Sequence, residues 1–83
     1  MPTVNVRLFA GLREMIGERE IRVSLADGAT VSDLQTRIGE DHPIVRPFLR
    51  TLVCAVDEEY VPGGHVLKEG DLVALIPPVS GGR

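Results

Sequence analysis

An α+β domain, with a mixed sheet rolled around one main helix and short helical turns beside it, follows from how the apolar residues repeat along the chain. Segments of period two open and close it: TVNVRLF from Thr3, REIRVSL from Arg19 and LVALI from Leu72. A single stretch of helical spacing, Val31, Leu34 and Ile38, lies between them. Strands alternate side chains between two faces, and helices stack residues three and four apart, so the two periods mark two kinds of element. Strand pairs on either side of one helix fit a sheet that wraps that helix.

In the first strand Val4, Val6 and Leu8 point one way and Thr3, Asn5, Arg7 and Phe9 the other. AGLREMIG follows, where Leu12, Met15 and Ile16 have the spacing of a short helix of a turn or two. The second strand turns Ile21, Val23 and Leu25 inward and runs antiparallel to the first. Asp27-Gly28 marks a turn. Thr30 and Asp33 form a capping-box pattern that starts the main helix, and Gly39 is placed to end it. Pro43 and Pro47 forbid a long helix after it, so the reading there is a short helical turn that buries Ile44, Phe48 and Leu49. LVCAV reads as a covered strand, VDEEYV as a tight turn with a brief return strand, and PGGHVLKEGD as a loop. The last strand, Leu72 to Ile76, turns Val73 and Leu75 inward. It is expected beside the first strand and parallel to it, through a crossover.

The 83 residues make one domain, expected as a body over 1–79 and a flexible Gly-Gly tail over 80–83. With 43% hydrophobic residues but only Phe9, Phe48 and Tyr60 aromatic, the core must be aliphatic. A net charge of −3 with scattered arginines argues against nucleic acid as a partner. No run approaches the roughly 20 apolar residues of a membrane span. Pro2 and the early Arg7 do not fit a secretory leader. The lone Cys54, inside an apolar run, excludes an internal disulfide and suits a reducing cytoplasmic setting. His42 and His65 lack zinc-ligand spacing, and no nucleophile elbow or phosphate loop is present. Asp57, Glu58 and Glu59 splay across a turn and do not converge. No bound metal or permanent cofactor is expected, and no catalytic side chain.

Folding accounts for neither the ending PPVSGGR nor the apolar residues on the wrong face. Phe9 is out of phase with its strand, and Leu72, Ala74 and Ile76 face away from the core if Val73 and Leu75 face it. With the first and last strands adjacent, Phe9 and Ile76 would share an exposed patch where the tail leaves the body. Single exposed apolar residues are ordinary; a contiguous patch at the base of a tail points to a binding surface.

RLFAGLREMIG near the start, GDLVALIPPV near the end and the closing PPVSGG resemble the MoaD/ThiS family of ubiquitin-like, β-grasp sulfur carriers, over nearly the whole chain. The branch it is most similar to supplies the small subunit of molybdopterin synthase. That resemblance implies the following chemistry. An adenylyltransferase of the ubiquitin-activating type uses ATP and magnesium to adenylate the terminal glycine carboxylate. A persulfide sulfur, from a sulfurtransferase or cysteine desulfurase, displaces AMP and leaves a thiocarboxylate. The large synthase subunit takes the tail into its active site, where the sulfur builds the dithiolene of molybdopterin on cyclic pyranopterin monophosphate. The implied assembly is a heterotetramer.

Carried onto this sequence, the reactive end matches Gly82, preceded by Gly81. Glycine lets a tail thread a narrow channel close to the partner's backbone. Pro77 and Pro78 limit the freedom lost on docking, and Val79 and Ser80 complete the inserted segment. The family's partner-facing apolar positions match Phe9, Tyr60 and Ile76, the last often phenylalanine in the family, and Arg13 matches an arginine that can reach the partner. Arg83 departs from the pattern. It is trimmed, tolerated by the activating enzyme, or the mark of a cloning remnant or longer fusion. Thiamine or tRNA thiolation, protein modification through Gly82, and a non-covalent ubiquitin-like binding module stand as alternatives.

Overall fold

The computed structural model describes residues 1–77. Pro78, Val79, Ser80, Gly81, Gly82 and Arg83 lie outside the described residues, and with them the expected boundary between body and tail.

Five strands form one sheet: β1 (Thr3–Leu8), β2 (Glu20–Ser24), β3 (Val53–Val56), β4 (Glu59–Val61) and β5 (Leu72–Ile76), in the spatial order β2-β1-β5-β3-β4. β1 is antiparallel to β2 and parallel to β5, whereas β3 is antiparallel to both β5 and β4. The sheet is therefore mixed, with its parallel pair at the centre, as expected. A parallel pair needs a crossover, and the main helix lies within it.

That helix, α2 (Val31–Asp41), starts at the predicted capping box. The backbone N–H of Asp33 donates to Thr30 Oγ1 at 3.3 Å, and the N–H of Thr30 donates to Asp33 Oδ2 at 2.9 Å. Both groups would otherwise be unpaired donors of a helix start. Val31, Leu34 and Ile38 are buried against Val4, Val6 and Leu8 of β1 and Val73 and Leu75 of β5. Fully burying each such aliphatic side chain contributes roughly 1.5–3 kcal/mol.

The shorter helix α1 (Ala10–Ile16) buries Leu12, with Met15 and Ile16 partly buried. It ends at Gly17, whose φ of 87° is left-handed and whose N–H donates to the Arg13 carbonyl at 2.8 Å. Between β3 and β4, Asp57 and Glu58 have φ of 51° and 73°. Positive φ at both centre positions is what a two-residue hairpin needs to match strand twist. Cys54 is buried, as its apolar run predicted.

Two expectations are corrected. Gly39 does not end α2, which continues to Asp41 with His42 as its cap. Instead Gly39 is buried where the next element crosses: a Cβ there would sit 2.8 Å from Leu49 Cδ1 and 3.3 Å from Arg46 Cγ. That element is a 3₁₀ helix, η1 (Pro43–Thr51), longer than the single turn expected. Its inward face is shifted by one residue. Val45 is fully buried and Leu49 partly so, whereas Ile44 and Phe48 are exposed. Arg46 fastens η1 to α2, its Nε donating to the Gly39 carbonyl at 3.1 Å. Among the described residues no helix is long and apolar enough to cross a membrane.

Candidate partner-binding face

The outer face of the sheet carries the residues that alternation turned away from the core. Register aligns one row across all five strands: Glu20, Arg7, Ala74, Ala55 and Tyr60. The two alanines at its centre leave the sheet low there, and longer side chains stand around them. The result is an open trough of about 290 Å³, with Arg7 and Tyr60 at its ends and Phe9, Ile76 and Leu72 along its sides.

Each wall is placed by a local feature. Phe9 follows the last residue of β1 and has extended backbone, so it keeps the strand's outward phase while the chain turns into α1. It is 41% exposed. Tyr60 is in the short return strand β4, directly opposite Ala55, and at 75% exposed it is almost free of the body. Ile76 ends β5 opposite Val53 of β3, itself exposed.

Charge is confined to the rim. Arg7 Nε is 3.4 Å from Glu20 Oε1, an exposed pair, and Glu58 lies at the other side. The centre is apolar and ion-free, so a partner's apolar side chain can enter without stranding a charge.

Of the residues expected to meet a partner, Phe9, Tyr60 and Ile76 line this one trough. Arg13 is in a neighbouring cleft that shares Arg7 and Phe9 with it. Pro77 points elsewhere, into a groove between α1 and η1 lined by Leu12, Met15 and Phe48. Pro78, Val79, Ser80, Gly81 and Gly82 fall outside the described residues. Sequence reading missed Ala55 and Arg7. In LVCAV every residue is apolar, so no alternation marks Ala55 as outward. Arg7 is marked only by the strand order.

Cys54 is next to Ala55 and so faces the opposite way, into the core. Its Sγ accepts a hydrogen bond from Gln35 Nε2 at 3.2 Å. Burial pushes the thiol's pKa up, and the Gln35 hydrogen bond opposes this only in part. A protonated, buried thiol is a poor nucleophile. Cys54 is thus packed as a core residue.

The sequence pattern of the ThiS family matches residues 6–82. The molybdopterin synthase sulfur carrier subunit of Chlamydomonas reinhardtii is 42% identical over 81 residues, covering 95% of this chain and 98% of that protein. The crystal structure of small archaeal modifier protein 1 from H. volcanii superposes with a TM-score of 0.86 at 28% identity, covering 95% of this chain and 100% of that one. A chain from the complex of subunits 1 and 2 of molybdopterin-converting factor from Helicobacter pylori has a TM-score of 0.69 at 23% identity, covering 96% and 99%, and shares the β-grasp fold. With its pattern matched from the first strand to the closing glycines, the chain belongs to the ThiS family.

Proposed function

We propose that this chain is the sulfur carrier subunit of a molybdopterin synthase. The observation that carries the reading is the end-to-end match to a carrier of that name, 42% identical over nearly the full length of both chains. The trough supports it. A carrier must offer its C-terminus to other proteins, and the trough's wall residue Ile76 is the last residue of the strand that leads to that terminus.

In this reading the carboxyl group of Gly82 is adenylated by a ubiquitin-activating-type enzyme that uses ATP and magnesium. The outer sulfur of a persulfide on a sulfurtransferase or cysteine desulfurase displaces AMP to form an acyl disulfide. A second thiol, acting as reductant, cleaves its S–S bond to release the thiocarboxylate and leave a disulfide on the donor side. The large subunit grips the Phe9–Tyr60–Ile76 face, takes in the tail from Pro77 through Gly81, and receives the sulfur for cyclic pyranopterin monophosphate. Binding energy from the body, remote from the reacting atom, positions that atom. The setting is the cytoplasm and the assembly a heterotetramer. For Gly82 to carry a free carboxylate, the Gly82–Arg83 peptide bond is hydrolysed before activation.

Intact-mass analysis of the protein from sulfur-replete cells tests this. The expected product ends at Gly82 with one oxygen exchanged for sulfur, and a large synthase subunit copurifies with it. Copurification of a thiazole synthase in its place would move the chain to thiamine synthesis. The likeness to small archaeal modifier protein 1 favours a second reading, a protein modifier joined through Gly82. That reading predicts ladders of conjugates on other proteins' lysines and no thiocarboxylate.

A further inference from the structure

Beside the trough, where β1, α1 and the start of β2 meet, Arg7, Arg13 and Arg19 line a cleft of about 340 Å³. Glu20 is the one carboxylate in its lining, and Arg7 already holds it. Among the described residues Arg13 and Arg19 have no carboxylate within ion-pair distance, although Glu14 and Glu18 are their neighbours in sequence. The chain as a whole carries −3. A cleft that gathers three of its nine cations therefore runs against the average field of the molecule.

The two free arginines are held at the backbone. The Arg13 carbonyl accepts from Gly17 N–H at 2.8 Å, and the Arg19 carbonyl accepts from Leu8 N–H at 2.9 Å. Both side chains thus project from hydrogen-bonded backbone in the lining of the cleft. Less freedom is lost when they meet a partner than if they hung from a loose loop.

We infer that this cleft receives an acidic segment of the large subunit, with Arg19 and Arg13 as its anchors. The inference rests on the proposed function and names a further part of its interface. The occupant follows from continuity: Arg7 and Phe9 are walls of both the cleft and the trough, so a body seated on the trough overhangs the cleft. Its chemistry follows from charge. Two unpaired guanidinium groups beside an apolar wall suit carboxylates on a protein surface. A rim of this kind steers encounter and fixes orientation more than it adds affinity. On the trough's opposite rim is Glu58, which gives the face a positive and a negative side and so one preferred way to dock.

The test uses the full chain and purified large subunit. Arg13→Glu/Arg19→Glu is compared with Arg50→Glu/Lys68→Glu, which makes the same change in net charge away from the cleft. Association rates are read at roughly 0.05 M and 0.5 M salt, long and short screening lengths respectively. At low salt the cleft variant is expected to associate about tenfold more slowly than the parent, and the two to converge at high salt. The control pair should stay within about twofold of the parent. Arg13→Gln/Arg19→Gln gives a smaller loss of the same salt dependence and serves if the reversal impairs folding. Equal rates for cleft variant and parent, or equal losses in cleft and control variants, overturn the inference while leaving the carrier reading intact. A parent that carries no thiocarboxylate and does not bind the large subunit overturns both.

Discussion

Phe9 and Ile76 stand on the same trough from opposite ends of the sequence, because β1 and β5 lie side by side and parallel. Neither packs into the core, so removing either separates binding from folding. Phe9→Ala or Ile76→Ala is expected to weaken binding of the large subunit by roughly tenfold, as for a partly buried interface anchor. Thermal unfolding should hardly move. Calorimetric titration and a melting curve on the same sample check both halves.

Gly82 is the residue on which the transferred sulfur is proposed to ride. Replacing it with alanine adds a Cβ at the reacting end, and small misplacements of a reacting group cost on the order of a hundredfold in rate. Gly82→Ala should therefore bind the large subunit nearly as well as the parent yet transfer sulfur far more slowly. Equal cofactor production by a chain clipped before Gly81 would end the carrier reading.

Thr30→Ala removes the Oγ1 that accepts from Asp33 N–H at 3.3 Å. Loss of such a cap costs about 1 kcal/mol. Urea unfolding should show a lower midpoint with unchanged slope, and Thr30→Ser should recover most of the loss.

Gly39 sits against Leu49 and Arg46 across the α2–η1 crossing. Alanine in a helix interior gains about 1 kcal/mol over glycine. Here that gain is offset because Leu49 must move off a 2.8 Å contact. Gly39→Ala is expected to be near neutral. Gly39→Leu should destabilise by about 1–3 kcal/mol, since overpacking pushes η1 away. Denaturation curves of the two variants decide it.

Cys54 has its folded pKa raised by burial. The native state then holds the thiol proton more tightly than the unfolded chain does. The corresponding stability is complete below the unfolded thiol value of about 8.5 and is lost as pH rises through the folded value. Cys54→Ala should unfold more easily at neutral pH. Its stability should fall less than the parent's as the solution is made alkaline, and the difference between the two urea midpoints against pH reads this directly.

Much of this was open to a reader of the chain alone. The capping box of Thr30 and Asp33, the stripe of Val31, Leu34 and Ile38, the alternation in β1 and β5, and the turn at Asp57-Glu58 are all written within a few residues of each other. Local hydrogen bonds and the two periods of side-chain direction express them without help from distant segments. Phe9 and Ile76 stood out because their phase was wrong for the core.

Other features depend on which distant segments meet. Gly39 looked like a helix end because glycine often ends helices; it is a contact point because η1 crosses α2 there. Between Pro43 and Thr51 the prolines excluded a regular helix, but whether Val45 or Ile44 turned inward depended on how η1 docks. The row from Glu20 to Tyr60, with its two alanines, needs the order and register of five strands. Hydrogen bonds between strands set that register, and apart from the β3–β4 hairpin they join segments far apart in the chain. Apolar pattern and capping thus specify the parts and their inner faces, while long-range pairing assembles the outer surface that a partner would touch.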